Sequence, residues 1–212
     1  MIKFCLRFGL YLVLAIGLTG ARAGAYEDFF SAVATDNAGT VATLLQRGFD
    51  PNSRDEKAQT ALYLALREGS SRVAELLLAH ADLQPDLANA AGETALMMAA
   101  LKGRLPAMAS LVRRGARIER DGWTPLHYAA TGQEPHAVDW LLGQGARVDA
   151  RSPNGSTALM MAARYGSEAA VELLLARGAD ARLRNERGMD AADFARSAGR
   201  ESLAAKVAAA AR

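Results

Sequence analysis

A helix-start motif recurs along this chain at nearly constant spacing. Thr-Ala-Leu begins at Thr60, Thr94 and Thr157, Thr-Pro-Leu begins at Thr124, and a weaker Asp-Ala-Ala copy begins at Asp190. A threonine hydroxyl can cap the first turn of a helix, and a proline at the first helical position costs no hydrogen bond. The successive starts are separated by 34, 30, 33 and 33 residues. A period near 33 residues predicts an array of repeated structural units rather than a single globular core.

Each predicted unit consists of two short helices followed by a loop. In one unit Leu159 and Ala162 lie at helical spacing, Val171 and Leu174 follow at the same spacing, and Gly178 provides a helix stop. The last unit has an alanine-rich second helix whose outer face can meet water, as a capping unit requires. The predicted units cover residues 26–57, 58–91, 92–121, 122–154, 155–187 and 188–212.

The first 23 residues have the features of a secretory signal peptide. Lys3 and Arg7 precede an uncharged apolar run, 8–18, and Ala21-Arg22-Ala23 offers small residues at a cleavage site. The run is shorter than the roughly 20 residues that span a membrane. The sequence therefore predicts a signal peptide at 1–23 and a mature domain at 24–212, with a second possible cleavage after Ala25. An uncleaved membrane anchor is the alternative.

Charge and cysteine content agree with export and give no sign of nucleic-acid binding. The chain has 25 basic and 23 acidic residues, of which residues 1–23 hold three basic and no acidic ones. The mature chain is thus nearly neutral, whereas a nucleic-acid-binding surface needs clustered excess Lys and Arg. The single cysteine, Cys5, lies inside the predicted signal peptide. The mature chain needs no disulfide bond in an oxidising compartment.

Two motifs give the chain a resemblance to the ankyrin repeat family. The family's T-P-L-H-x-A motif stands at 124–129, and its V-x-L-L-L-x-x-G-A-D pattern stands at 171–180. The resemblance covers about residues 26–212 and implies an all-α solenoid of helix-turn-helix units with short β-turn fingers. It also implies a structural role for Thr124, Pro125, Leu126 and His127. The sequence departs from the family in a lengthened loop at 81–91, a shortened finger at 116–121, and Tyr63, Met97 and Met160 where histidine is common.

No motif in the mature chain indicates catalysis. The three histidines, His80, His127 and His136, do not have the spacing of a helical metal site. Gly-rich phosphate loops and a nucleophile motif such as G-x-S-x-G are absent from the sequence. We therefore expect no catalytic, cofactor-binding or metal-binding residues, and an enzyme is the less favoured class of function.

The resemblance implies that the chain binds a protein through its finger tips and the groove formed by its first helices. Trp123, Arg164 and Tyr165 are residue types that dominate binding hot spots. An alternative for Trp123 is packing along the neighbouring finger, over the gap left by the shortened loop. The residues at the family's contact positions are Trp123, Arg164, Tyr165, Arg67, Glu68, Glu93 and Lys102.

These observations together predict a periplasmic, monomeric protein-binding module. We expect a protein partner, no nucleic acid and no membrane association after signal cleavage. Two roles remain open at this level. One is a scaffold or accessory factor for another envelope protein, and the other is an immunity-type inhibitor of a toxic periplasmic enzyme.

Overall fold

The structure is a computed structural model that describes residues 24–211. The predicted signal peptide therefore lies outside the described residues. The described chain is built of helix pairs joined by short fingers. The helices are α1 (24–34), α2 (Ala38–Gln46), α3 (Ala61–Glu68), α4 (Ser71–Ala79), α5 (Ala95–Leu101), α6 (Leu105–Arg113), α7 (Pro125–Thr131), α8 (Pro135–Gly143), α9 (Ala158–Tyr165), α10 (Glu168–Ala176), α11 (Ala191–Ser197) and α12 (Glu201–Ala210).

The predicted threonine caps define where the first helices begin. The hydroxyls of Thr60, Thr94 and Thr157 each accept a hydrogen bond from the backbone N–H three residues later, at 3.3 to 3.4 Å. The start of α7 differs, because His127 Nδ1 accepts from the Thr124 N–H at 3.2 Å and lies 2.9 Å from the Thr124 hydroxyl. Helices of 7 to 11 residues are marginal in isolation, so their stability comes from packing between units.

The helices stack in two rows. The first helices α3, α5, α7 and α9 each contact the next first helix, and these four and α11 each contact the second helix of their own unit. Leu96, Leu126 and Leu159 lie on successive first helices and are at most 1% exposed. The apolar core therefore runs continuously along the array, and the predicted all-α solenoid is confirmed.

Two glycines show how closely successive first helices approach. A Cβ atom at Gly132 would lie 2.4 Å from the Leu101 carbonyl oxygen, and one at Gly166 would lie 2.2 Å from the Ala130 carbonyl oxygen. Both separations are shorter than any real Cβ contact, so no side chain fits at either position. This close approach fixes the spacing of the first-helix row.

Charged side chains connect the fingers of neighbouring units. Arg117 Nε donates to Asp86 at 2.6 Å, and Arg147 Nε donates to Glu119 at 2.7 Å. The second pair ties the shortened finger to the finger that follows it. Exposed ion pairs of this kind contribute little stability individually, so most of the stability of the array comes from its core.

The core assignment predicts different costs for two adjacent leucines on α10. Leu174 is fully buried and Leu173 is partly exposed. Leu174→Ala should lower the free energy of unfolding by about 2 to 5 kcal/mol, because it removes buried apolar contacts and leaves a cavity. Leu173→Ala is the matched control and should cost clearly less. Urea unfolding followed by circular dichroism measures both, and equal losses would contradict the placement of Leu174 in the core.

Candidate functional site

The residues at the predicted contact positions lie along one surface, which we call the first-helix face. It comprises the exposed side chains of α3, α5, α7 and α9 together with the residue before each threonine cap. All the predicted binding residues are exposed or half-buried in the structure. They are Arg67, Glu68, Glu93, Lys102, Trp123, Arg164 and Tyr165. The structure thus leaves them accessible, and their binding role stays a prediction.

A shallow pocket of about 250 Å³ opens on this face between α5, α7 and α9. Trp123 is half-buried and its ring meets the His127 ring edge to face, with 5.3 Å between the centroids. The tryptophan is therefore braced on α7 while part of its surface remains free. The pocket is lined by Leu101, Trp123, His127, Tyr128, Thr131 and Met161. We refer to it as the Trp123 pocket.

Arg164 and Tyr165 extend the same surface beyond the pocket. They follow Met161 by three and four residues on α9, which places them on the same side of the helix. Tyr165 is 49% exposed. The guanidinium carbon of Arg164 lies 5.1 Å from the centroid of the Tyr165 ring, within range of a cation–π interaction. This pair gives the face an exposed aromatic group beside a positive charge.

A cluster of hydrogen bonds on Glu93 connects three units across the face. The Tyr63 hydroxyl donates to Glu93 Oε2 at 2.6 Å, and the Tyr128 hydroxyl donates to Glu93 Oε1 at 2.8 Å. Asn89 Nδ2 also donates to Oε2, at 2.8 Å. Tyr128 therefore connects two features of the face, since it lines the Trp123 pocket and its hydroxyl donates to Glu93.

These contacts determine the ionisation of the cluster. Burial opposes ionisation of Glu93, but hydrogen bonds from Tyr63, Asn89 and Tyr128 outweigh it and lower the pKa of the carboxyl. Burial, with added effects of the bonds to Glu93, raises the pKa values of Tyr63 and Tyr128 well above their ordinary value. At neutral pH the site therefore holds a carboxylate and two neutral phenol donors.

The contacts of Tyr63 and Tyr128 with Glu93 were not predicted from the sequence, although one sequence feature indicated the contact of Tyr63. His127 is the third residue of its helix motif after the cap, and its Nε2 meets the carbonyl of Ser156 at 3.0 Å, just before the next cap. Tyr63 occupies the equivalent position in its unit and bonds instead to the side chain of Glu93, again just before the next cap. Tyr63, at a position where the family commonly has histidine, was therefore the sequence feature that indicated a contact between units.

At one end of the first-helix face, Arg67 is hydrogen-bonded to two residues of its own unit. Arg67 Nη1 donates to Gln59 Oε1 at 2.8 Å, and its Nε donates to Glu68 Oε1 at 2.7 Å. Because both Arg67 and Glu68 are about 40% exposed at the side chain, their ion pair contributes little stability. The two charges largely cancel at this end of the face.

The described residues show no alternative site built from metal ligands or a membrane segment. Within residues 24–211, no three His, Cys, Asp or Glu side chains are grouped so that they could hold a metal ion. No helix in that range combines the length and apolar character needed to cross a bilayer. The chemistry that the face does offer is an apolar pocket, an ionised carboxylate and an exposed aromatic–cation pair.

Comparison with known proteins identifies the repeats. A family model described as ankyrin repeats (3 copies) matches residues 29–121 and 118–185. The mouse (Mus musculus) ankyrin repeat and SAM domain-containing protein 6 is 33% identical over 112 residues, which are 51% of this chain. The chain spans only 13% of the length of that relative.

Two solved bacterial structures are similar over nearly their whole length. One is from a predatory endopeptidase of Bdellovibrio bacteriovorus in complex with an immunity protein. Its matched chain is 27% identical with a TM-score of 0.69, and the match covers 84% of this chain and 97% of that one. The other is an ankyrin repeat domain from Acinetobacter baumannii, 25% identical with a TM-score of 0.68. That match covers 86% of this chain and 96% of the other.

The environment of His127 predicts a pH dependence of folding. Its ring is 1% exposed, and burial lowers its pKa below the ordinary value of 6.5. The Ser156 carbonyl can only accept, so Nε2 carries the proton and Nδ1 accepts from Thr124. Below pH 6.5 or so the unfolded chain binds a proton that the folded chain does not. The free energy of unfolding should therefore fall as the pH decreases through that value.

Urea unfolding between pH 7.5 and 5.5 measures this effect. His127→Gln should be less stable at pH 7.5 and should lose less stability on acidification than the unmutated protein. Leu173→Ala, which alters a partly exposed side chain and no titratable group, is the control and should keep the pH dependence of the unmutated protein. An unchanged pH profile in His127→Gln would contradict the assignment.

Proposed function

The chain belongs to the ankyrin repeat family, and we propose that it binds another protein through the first-helix face. Ankyrin repeat proteins are generally protein-binding modules without catalytic activity, which supports this class of function. The observation that carries the proposal for this chain is the Trp123 pocket, with exposed Tyr165 and Arg164 one helical turn away. Aromatic and arginine side chains around a pocket are typical of the residues that dominate binding energy.

The stacking of the first helices favours binding because it holds these side chains in place. The backbone of α7 approaches α5, and that of α9 approaches α7, so closely that glycine is required at Gly132 and Gly166. Trp123 is further fixed by its contact with His127, which is itself bonded to Ser156 in the next unit. A face that is ordered before binding loses less conformational entropy when a partner docks.

Export to the periplasm forms the second part of the proposal. It rests on the charge, apolar run and cleavage sequence of residues 1–23. In that compartment the chain would act on another envelope protein as a monomeric binding module. The scaffold or accessory role needs no inhibition of the partner, whereas the immunity-type role requires it.

One comparison favours the immunity-type role as the second candidate. The similarity to the structure of the endopeptidase with its immunity protein extends over 97% of the matched chain. The complex itself is one between Bdellovibrio proteins. The similarity supports the proposal that this chain, too, binds and inhibits an enzyme. An activity assay of the partner, with and without this protein, separates the roles: inhibition indicates immunity, and unchanged or increased activity indicates support.

Replacement of Trp123 by alanine tests the binding face. The partner is first captured from envelope extract on the immobilised protein and identified by mass spectrometry, then purified for calorimetric titration. Trp123→Ala should weaken binding by about 2 kcal/mol or more, because it removes a wall of the pocket. Its thermal stability should change by less than about 1 kcal/mol, since the side chain is only half-buried.

Arg72→Ala is the matched control, because Arg72 is exposed on the second-helix row. It should leave the affinity unchanged. A large loss of thermal stability in Trp123→Ala with unchanged affinity would place the tryptophan in the scaffold and contradict its role in binding.

A further inference from the structure

The Glu93 carboxylate has an acceptor position that the described contacts leave open. A carboxylate offers about four acceptor positions on its two oxygens. Oε2 accepts from Tyr63 and Asn89, and Oε1 accepts from Tyr128. The remaining acceptor position is on Oε1. This oxygen already accepts a hydrogen bond from Tyr128, which lines the Trp123 pocket.

The hydrogen bonds to the Glu93 side chain come from neutral groups. Within residues 24–211, no Lys or Arg nitrogen lies within ion-pair distance of Glu93, whereas Asp86, Glu119 and Asp193 each have such a partner. Arg67 is near enough to affect Glu93 through the electric field, but its hydrogen bonds go to Gln59 and Glu68. Among the described residues, the half-buried Glu93 carboxylate therefore has hydrogen-bond donors but no direct ion-pair partner.

The surroundings of the open position suit a planar cation. Tyr128 donates its hydroxyl hydrogen bond to the carboxylate and also lines the pocket, together with Trp123 and Leu101. A guanidinium group stacks on aromatic faces and is more weakly hydrated than an ammonium, so it tolerates partial burial better. One accepting oxygen beside an aromatic wall therefore favours arginine over lysine.

We propose that Glu93 receives an arginine side chain of the partner protein, which docks between the carboxylate and the Trp123 pocket. This inference deepens the proposed function and rests on it. The charge of Glu93 and the tyrosines that hold it would set the partner's specificity, while the Trp123 pocket would supply apolar contact area. Tyr63 and Asn89 act as positioning residues, because they fix the carboxylate without contacting the partner.

The test uses two small probes that differ in charge but hardly in shape, N-acetyl-arginine methylamide and N-acetyl-citrulline methylamide. Each is titrated into the protein, isotope-labelled throughout, and followed by NMR. The reporters are the Glu93 carboxyl carbon and the indole N–H of Trp123. The chain contains two tryptophans, and Trp140, on α8 outside the pocket, is the internal control.

The arginine probe should shift both reporters and bind at least about five-fold more tightly than the citrulline probe, because a charge-assisted hydrogen bond is stronger than a neutral one. The Trp140 signal should not move. Equal binding of the two probes to the unmutated protein, or shifts that omit Glu93, would overturn the proposal without the use of any variant.

Glu93→Gln extends the test, since it removes the charge and keeps one of the two acceptor oxygens, so that only one of the two tyrosine hydroxyls loses its acceptor. This variant should bind both probes equally weakly, whereas Glu172→Gln, which alters an exposed carboxylate on α10 outside the first-helix face, should retain the preference for arginine. A preserved arginine preference in Glu93→Gln would also overturn the proposal.

The captured partner separates this inference from the proposed function. If Trp123→Ala weakens binding of the partner and Glu93→Gln does not, the proposed arginine contact at Glu93 is wrong. The proposal that the partner binds the first-helix face is then still supported. If neither substitution changes the affinity, the first-helix face itself is wrong.

Discussion

The close contact between successive first helices is the constraint on which the rest of the structure depends. Alanine on the buried sides, such as Ala129 and Ala162 with no exposed surface, lets the helices approach. At Gly132 and Gly166 even a methyl group would collide with a carbonyl of the preceding unit. Each helix is too short to be stable alone. The contacts between successive helices therefore both stabilise the fold and set the spacing of the units. Close packing of the first helices stabilises the array and also holds the side chains of the first-helix face in place.

This spacing is also what creates the candidate site. Residues about one repeat apart are brought within hydrogen-bond distance, as in the bonds from Tyr63 to Glu93 and from His127 to Ser156. Tyr128 then connects the Glu93 cluster to the Trp123 pocket. None of these groups forms a site within its own unit. The candidate site is therefore a property of the array.

The sequence predicted the architecture well because periodic apolar residues and helix caps are local signals. Thr60 and Thr157 cap their helices as expected, and Leu174 lies in the core as its spacing indicates. The Tyr63–Glu93–Tyr128 contacts were not predicted, since they depend on how far one unit lies from the next. The signal peptide and its cleavage site involve residues outside the described chain, and the binding residues stay predictions.

The central claim is that the partner contacts the first-helix face and not the second-helix row. Site-specific photo-crosslinking tests it most directly. A photoreactive phenylalanine analogue replaces either Tyr165, exposed on α9, or Glu172, exposed on α10. Illumination of the producing cells should yield a crosslinked partner from position 165 and not from position 172. A crosslink from position 172 alone would contradict the account.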